Sequence, residues 1–156
     1  MKNTLAKVVD SACRDCLDIE LKDHVAIITD EVRMRIADAF AQAILNQGAF
    51  PYVFLVTKSM DHRWAESQDA LDMLKSFVRT ADVAIVMLSD NPSLSEFRKR
   101  IVQLCKAFPV RIAALPGISE ETLVKYMELN PFKVENLGLA IARLITEGST
   151  MQITTQ

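Results

Sequence analysis

Cys13-Arg14-Asp15-Cys16 has the spacing of a redox pair or of half a zinc site. A redox pair belongs at a helix N-terminus just after a strand, where the dipole lowers a thiol pKa. Here both thiols fall late in an amphipathic segment that precedes every strand-like run, in line with Leu5, Val9 and Ala12. A zinc site needs two more ligands, and His24, His62 and Cys105 stand at no ligand spacing from the pair. Buried structural thiols are the expectation. Cys13 and Cys16 lie one helical turn apart, where a disulfide would be strained, so Cys13, Cys16 and Cys105 are all expected to be free.

Polar residues follow the apolar runs: Thr29-Asp30-Glu31, Thr57-Lys58, Ser89-Asp90-Asn91 and Pro116-Gly117. Open α/β sheets bind ligands beyond the carboxyl ends of their strands. Thr29, Asp30, Ser89, Asp90, Pro116 and Gly117 therefore form the candidate binding cleft. None of these turns is a phosphate loop. The glycine fingerprint of a dinucleotide site is missing after the first run, and Asp30 and Glu31 would repel a phosphate there. Helix capping is the preferred reading of Asp30 and Ser93. A phosphoryl receiver would use Asp30-Glu31 and Asp90, but the lysine it needs after a fifth strand has no counterpart.

No Ser-His-Asp set, HExxH or carboxylate dyad assembles, so no catalytic residue and no metal ligand is assigned. His24, beside Asp23, precedes the first strand at the amino end of the sheet and reads as a surface residue. Asp61-His62-Arg63-Trp64 reads as a solvated loop, and Arg98-Lys99-Arg100 as the solvated face of a helix.

The elements that position these residues alternate in kind. Strand-length apolar runs occur at Val25–Ile28, Tyr52–Val56, Val83–Leu88 and Val110–Leu115. Runs without strict alternation imply strands covered on both faces, as in a parallel sheet. A leading helix is expected over about Asn3 to Leu17. Between the runs, Glu31 to Gln47 places Ile36, Ala37, Phe40, Ala41 and Ile44 on one helical face, with Gly48 to end it. Ser67 to Arg79 carries Leu71, Leu74 and Val78. A third helix carries Leu94, Phe97, Ile101, Leu104 and Phe108; Ser93 to Glu96 spells a capping box, and Pro109 stops it. Ser119 caps the next helix, with Glu120 and Glu121 in its first turn and an Ile118–Leu123 staple. The last opens at Asn130-Pro131, uses Val134, Leu137, Ile141 and Leu144 as its stripe, and ends near Gly148. Thr150 to Gln156 alternates, with Met151 and Ile153 on one face, which predicts a half-exposed C-terminal strand.

This order predicts a doubly wound, Rossmann-like α/β three-layer sandwich with a mostly parallel sheet and one domain over residues 1–156. Composition agrees: 50% of the 156 residues are apolar and only 4 are glycine, which excludes disorder and collagen-like repeats. The net charge of −2, without a basic stripe, argues against nucleic acid. The longest purely apolar stretch, Val83 to Leu88, is too short to span a bilayer. With no signal peptide evident and an odd number of cysteines, a reducing cytoplasm is the expected location.

Several segments taken together resemble one family. Val25-Ala26-Ile27-Ile28-Thr29-Asp30-Glu31 followed by Ile36 to Phe40 is similar to the opening of the thermophilic metallo-aminopeptidases, aminopeptidase T and its leucyl aminopeptidase relatives. Thr80 to Val86 followed by Ser93-Leu94-Ser95 resembles them too, as does the stretch Ala114-Leu115-Pro116-Gly117-Ile118-Ser119. Leu144 to Gly148 and Met151 to Thr155 resemble the helix and strand that close the family's N-terminal domain. The resemblance implies a domain of a two-domain enzyme that removes N-terminal residues from peptides with a dinuclear divalent metal. It places the Glu, His, Tyr and Asp metal-site residues in a C-terminal catalytic domain, so no cofactor is expected in this chain. Its expected partner is that catalytic domain, or a second copy through Thr150 to Gln156. The competing class is a stand-alone α/β module binding a small ligand or protein at its strand ends.

Overall fold

The computed structural model describes residues 4–57, 67–127, 131–148, 150 and 152. The four apolar runs all form strands: β1 (His24–Asp30), β2 (Phe50–Val56), β3 (Val83–Met87) and β4 (Arg111–Ala114). They make one sheet in the order β2-β1-β3-β4, with every pair parallel. Val25 stands opposite Pro51 on one side and Val83 on the other, and Val83 opposite Arg111.

Alternation along the strands divides the core into two layers. Val25, Ile27, Val83, Ile85 and Met87 face one side. They meet α1 (Leu5–Ser11), α2 (Met34–Asn46) and α5 (Glu120–Met127) through Val9, Phe40, Ile44 and Leu123. Ile28, Ala84 and Val86 face the other side. There they meet α3 (Gln68–Arg79) and α4 (Ser95–Cys105) through Leu74, Val78, Phe97 and Ile101. Helices on both faces of a parallel sheet make this a Rossmann-like α/β sandwich.

Local signals act where expected. Gly48 ends α2 at φ +77°, a conformation that costs an L side chain energy. Ser119 accepts the Thr122 amide at 3.1 Å, and Ser67, not singled out as a cap in the sequence, accepts the Ala70 amide at 3.1 Å. Ile118 packs in the same cluster as Leu123, completing the staple.

Four expectations are corrected. Cover on both faces holds for β1 and β3, whereas the edge strands are less covered: Phe50, Tyr52 and Val53 of β2 are exposed, as are Arg111 and Ala114 of β4. The capping box at Ser93 does not start α4: the N-cap is Leu94, without a side-chain bond, and Glu96 pairs with Lys99 at 2.7 Å. Cys16 is exposed, while Cys13 and Cys105 are buried. The cause is a π-turn over Ala12–Cys16, where Leu17 donates to the Ala12 carbonyl five residues back. Such a turn holds more residues than an α-turn, so Cys16 rotates off the stripe that buries Cys13.

The fourth correction is α6 (Pro131–Glu147), whose stripe of Val134, Leu137, Ile141 and Leu144 faces solvent instead of the sandwich. The expected C-terminal strand, apart from Thr150 and Gln152, lies outside the described residues, as does the Asp61–Trp64 loop. Among the described residues, no helix is long and apolar enough to cross a membrane.

Candidate functional site

The chain runs from β1 out to β2, returns across β1 to β3, and continues to β4. The connections thus reverse direction between the carboxyl ends of β1 and β3, the point where a doubly wound sheet opens a crevice. Asp30 ends β1 there and is buried, at 5% exposure. Its Oδ2 accepts the Ser89 amide beyond β3 at 2.6 Å, and its Oδ1 accepts the Arg33 amide at 3.1 Å. One carboxylate therefore ties together the two strand ends that would flank a ligand. Helix capping describes only half of its job: Oδ1 holds the amide three residues on in the turn that enters α2, although the N-cap itself is Arg33, while Oδ2 reaches across to Ser89.

The other cleft residues divide. Thr29 is fully buried, with its hydroxyl directed to the Asp30 carbonyl, and is closed to solvent. Gly117 donates to the Leu88 carbonyl at 3.1 Å, which holds the β4–α5 turn against the end of β3. Asp90 lies against Gly117: a Cβ on the glycine would come within 2.0 Å of Asp90 Oδ2. Asp30, Ser89, Asp90 and Gly117 are thus gathered at one place. Pro116 instead lines a neighbouring cavity of about 410 Å³ with Val86, Ala114, Val102 and the stems of Arg98 and Lys99.

Two arginines complete the strand-end network. Arg33 Nη2 donates to the Gly117 carbonyl at 3.2 Å, bridging α2 to the β4–α5 turn, while its buried Nε finds no hydrogen-bond partner among the described residues. Arg98 Nη1 donates to the Ser89 carbonyl at 2.6 Å and lies 3.4 Å from Asp90 Oδ1. Arg98 is therefore no member of a solvated basic face. The signal for it lay in the helix period: Arg98 falls one turn after Leu94 and one turn before Val102, at the inner border of α4. For Arg33 the sequence carries no comparable signal.

Gly117 has φ +64°, so it holds a left-handed conformation as well as a crowded one. Gly117→Ala is expected to cost about 1–2 kcal/mol, since the left-handed region penalises Cβ. Asp90 is flexible and largely exposed and can swing aside, so adding Asp90→Ala should recover little. Urea denaturation measures both; equal stability of Gly117→Ala and the parent would refute the strain.

At the opposite end of the sheet, His24 begins β1 as an exposed residue, as expected. Its amide donates to Asp82 Oδ2 at 2.8 Å, and its ring stacks on Tyr52 with Nδ1 3.1 Å from the phenol oxygen. Arg111, at the start of β4, clamps the loop after α1 through the Leu17 and Asp18 carbonyls and the Asp23 carboxylate. Among the described residues, no three His, Cys, Asp or Glu side chains come together as a metal-holding group.

Fold and site together define a Rossmann-like α/β domain whose switch-point crevice is tied across by its own side chains. Among solved structures, wild-type AmpT from Thermus thermophilus, an aminopeptidase, is similar at TM-score 0.58 and 13% identity over 90% of this chain. The chain spans about half, 48%, of that protein's length. A putative enoyl reductase domain of a polyketide synthase is similar at TM-score 0.48 and 14% identity, over 98% of this chain and 100% of that one. No protein-family model matches the chain, and no curated protein matches it either.

Proposed function

We propose that this chain is the N-terminal scaffold and lid domain of a metallo-aminopeptidase-like protein. In that reading, hydrolysis of the N-terminal peptide bond belongs to a C-terminal domain carrying the dinuclear divalent metal. The observation that carries it is the extent of the likeness to AmpT, which takes in nine-tenths of this chain and about half of that protein. The same stretch, Leu115-Pro116-Gly117-Ile118-Ser119, that resembles the family in sequence forms the turn held by Arg33 and the Leu88 carbonyl, with Asp90 lying against it. The tied crevice is consistent with a structural role, because its polar groups are spent on holding β1, β3 and the β4–α5 turn together.

The test compares the 156-residue chain with any longer reading frame that contains it. The chain alone, supplied with zinc or cobalt, should not hydrolyse peptide amides. A frame continuing past Gln156 into a His-, Glu- and Asp-rich domain should do so, and a chelator should stop it. Chelator-sensitive turnover by the 156 residues alone would overturn the reading.

One observation favours the stand-alone module. The cavity of about 410 Å³ beside β4 is walled mostly by apolar surface and has Arg98 and Lys99 among its lining residues, which suits a small apolar acid that competes with Glu96 for Lys99. Saturable stabilisation by medium-length fatty acids, lost in Lys99→Ala, would support that reading over the first.

A further inference from the structure

Every described side chain of α6, from Lys133 to Glu147, is exposed. Val134, Leu137, Ile141 and Leu144 follow one another at spacings of three, four and three, which are the a and d positions of a heptad. Their exposures are 52%, 62%, 47% and 72%. An amphipathic stripe this regular on a 17-residue helix gains stability chiefly by burying that face against something. We propose that α6 pairs antiparallel with α6 of a second copy of this chain, about a two-fold axis passing at Leu139.

Register is the first ground. Antiparallel coiled coils stack a on d, and with the axis at Leu139 the chain does so on both sides. Val134 meets Leu144 of the second copy, and Leu137 meets Ile141 of the second copy. Charge is the second ground. In that register Lys133 falls beside Glu147 of the second copy, and Glu147 beside Lys133 of the second copy, giving two opposite-charge pairs on one flank. A parallel pair would set Lys133 against Gly138 and gain neither.

Gly138 supplies the third ground. Glycine inside a helix is unfavourable relative to alanine. A Cβ on Gly138 would meet nothing within 4 Å, so no contact among the described residues accounts for the glycine. In the antiparallel pair Gly138 and Ala140 flank the two-fold axis, one on each side, where small residues let the backbones approach. A partner helix crossing there explains why the site is left without a side chain. The apolar seam from Val134 to Leu144 is only about 15 Å long, from the 1.5 Å rise per residue, so the association should be weak, with Kd roughly micromolar.

Sedimentation velocity of the 156-residue chain across the micromolar range tests the proposal. A concentration-dependent monomer–dimer equilibrium is expected. Leu137→Lys should weaken it by about a hundredfold or more while leaving the thermal melt of the α/β core unchanged. Glu147→Lys should weaken it roughly fivefold, and the double reversal Lys133→Glu/Glu147→Lys should restore it. Removing residues 149–156 should leave the dimer intact, which separates α6 from pairing through the C-terminal segment. A monomer at every concentration overturns the proposal, and so does a dimer that survives Leu137→Lys or is lost with residues 149–156. Failure of the double reversal to restore affinity overturns the antiparallel register.

Discussion

Asp30→Ala should cost the folded chain about 1–3 kcal/mol, because it strands the Ser89 amide and leaves the Arg33 amide with only the Asp30 carbonyl, at 3.1 Å, as acceptor. Asp30 Oδ2 takes the Ser89 amide at 2.6 Å and Oδ1 the Arg33 amide at 3.1 Å, and the methyl of alanine can accept from neither. The two donors belong to the ends of different elements, so the damage spreads beyond one turn. Ser89 also presents its carbonyl to Arg98, and Arg33 reaches the Gly117 carbonyl. Asp30→Asn should recover less than half of the loss. It keeps a single acceptor oxygen and turns an NH2 toward the second amide. Urea denaturation gives the stability, and hydrogen exchange at the Ser89 and Arg33 amides reports the site itself. A loss below about 1 kcal/mol with the Ser89 amide still protected would show that Asp30 does not hold the strand ends together.

The second large effect is alkaline destabilisation by the two buried thiols. Burial, with the nearby Asp10 charge adding to it, pushes the Cys13 thiol up to about 12, and burial pushes Cys105 up to about 11. Their unperturbed value is 9.0. A folded-state pKa raised above the unfolded one means that the folded chain holds its proton where the unfolded chain has released it. The stabilisation is thus complete below pH 9 and is lost as pH rises, through about 11 for Cys105 and about 12 for Cys13. Each thiol should contribute a slope of about −1.4 kcal/mol per pH unit within its window. Lysines and tyrosines titrate in the same range, so the comparison must be with Cys13→Ala/Cys105→Ala. That variant will be less stable at neutral pH, but its stability should fall with a visibly shallower slope above pH 9. Parallel slopes for the two proteins would refute the assignment. Cys16, exposed on the π-turn, should be alkylated first in the native protein.

Much of this fold was legible one element at a time. The four apolar runs are the four strands, and the amphipathic segments between them are helices, because burial on a pleated or helical face imposes its own period on the sequence. Ser119 and Gly48 act as written because a cap needs only its own turn. The cleft residues were legible as a group: general rules for open sheets placed Asp30, Ser89, Asp90 and Gly117 at the carboxyl ends, and there they meet. What each does was not legible. Asp30 reads locally as a helix cap, yet its strongest bond runs to Ser89, 59 residues away.

The same boundary separates the rest. By itself the sequence determined the parallel α/β layering, the element order and the free, largely apolar setting of Cys13 and Cys105, since all follow from local period and composition. Tertiary structure alone decided which two strands lie at the edges, and so exposed Phe50 and Tyr52 of β2. It alone turned Cys16 outward, drew Arg33 and Arg98 into the strand-end network, and left the α6 stripe facing solvent. Hydrophobic period states only that a face must be covered, and it is silent on what covers it. A hydrogen bond between residues 59 or 84 positions apart exists only once the chain has folded and brought the two groups within reach.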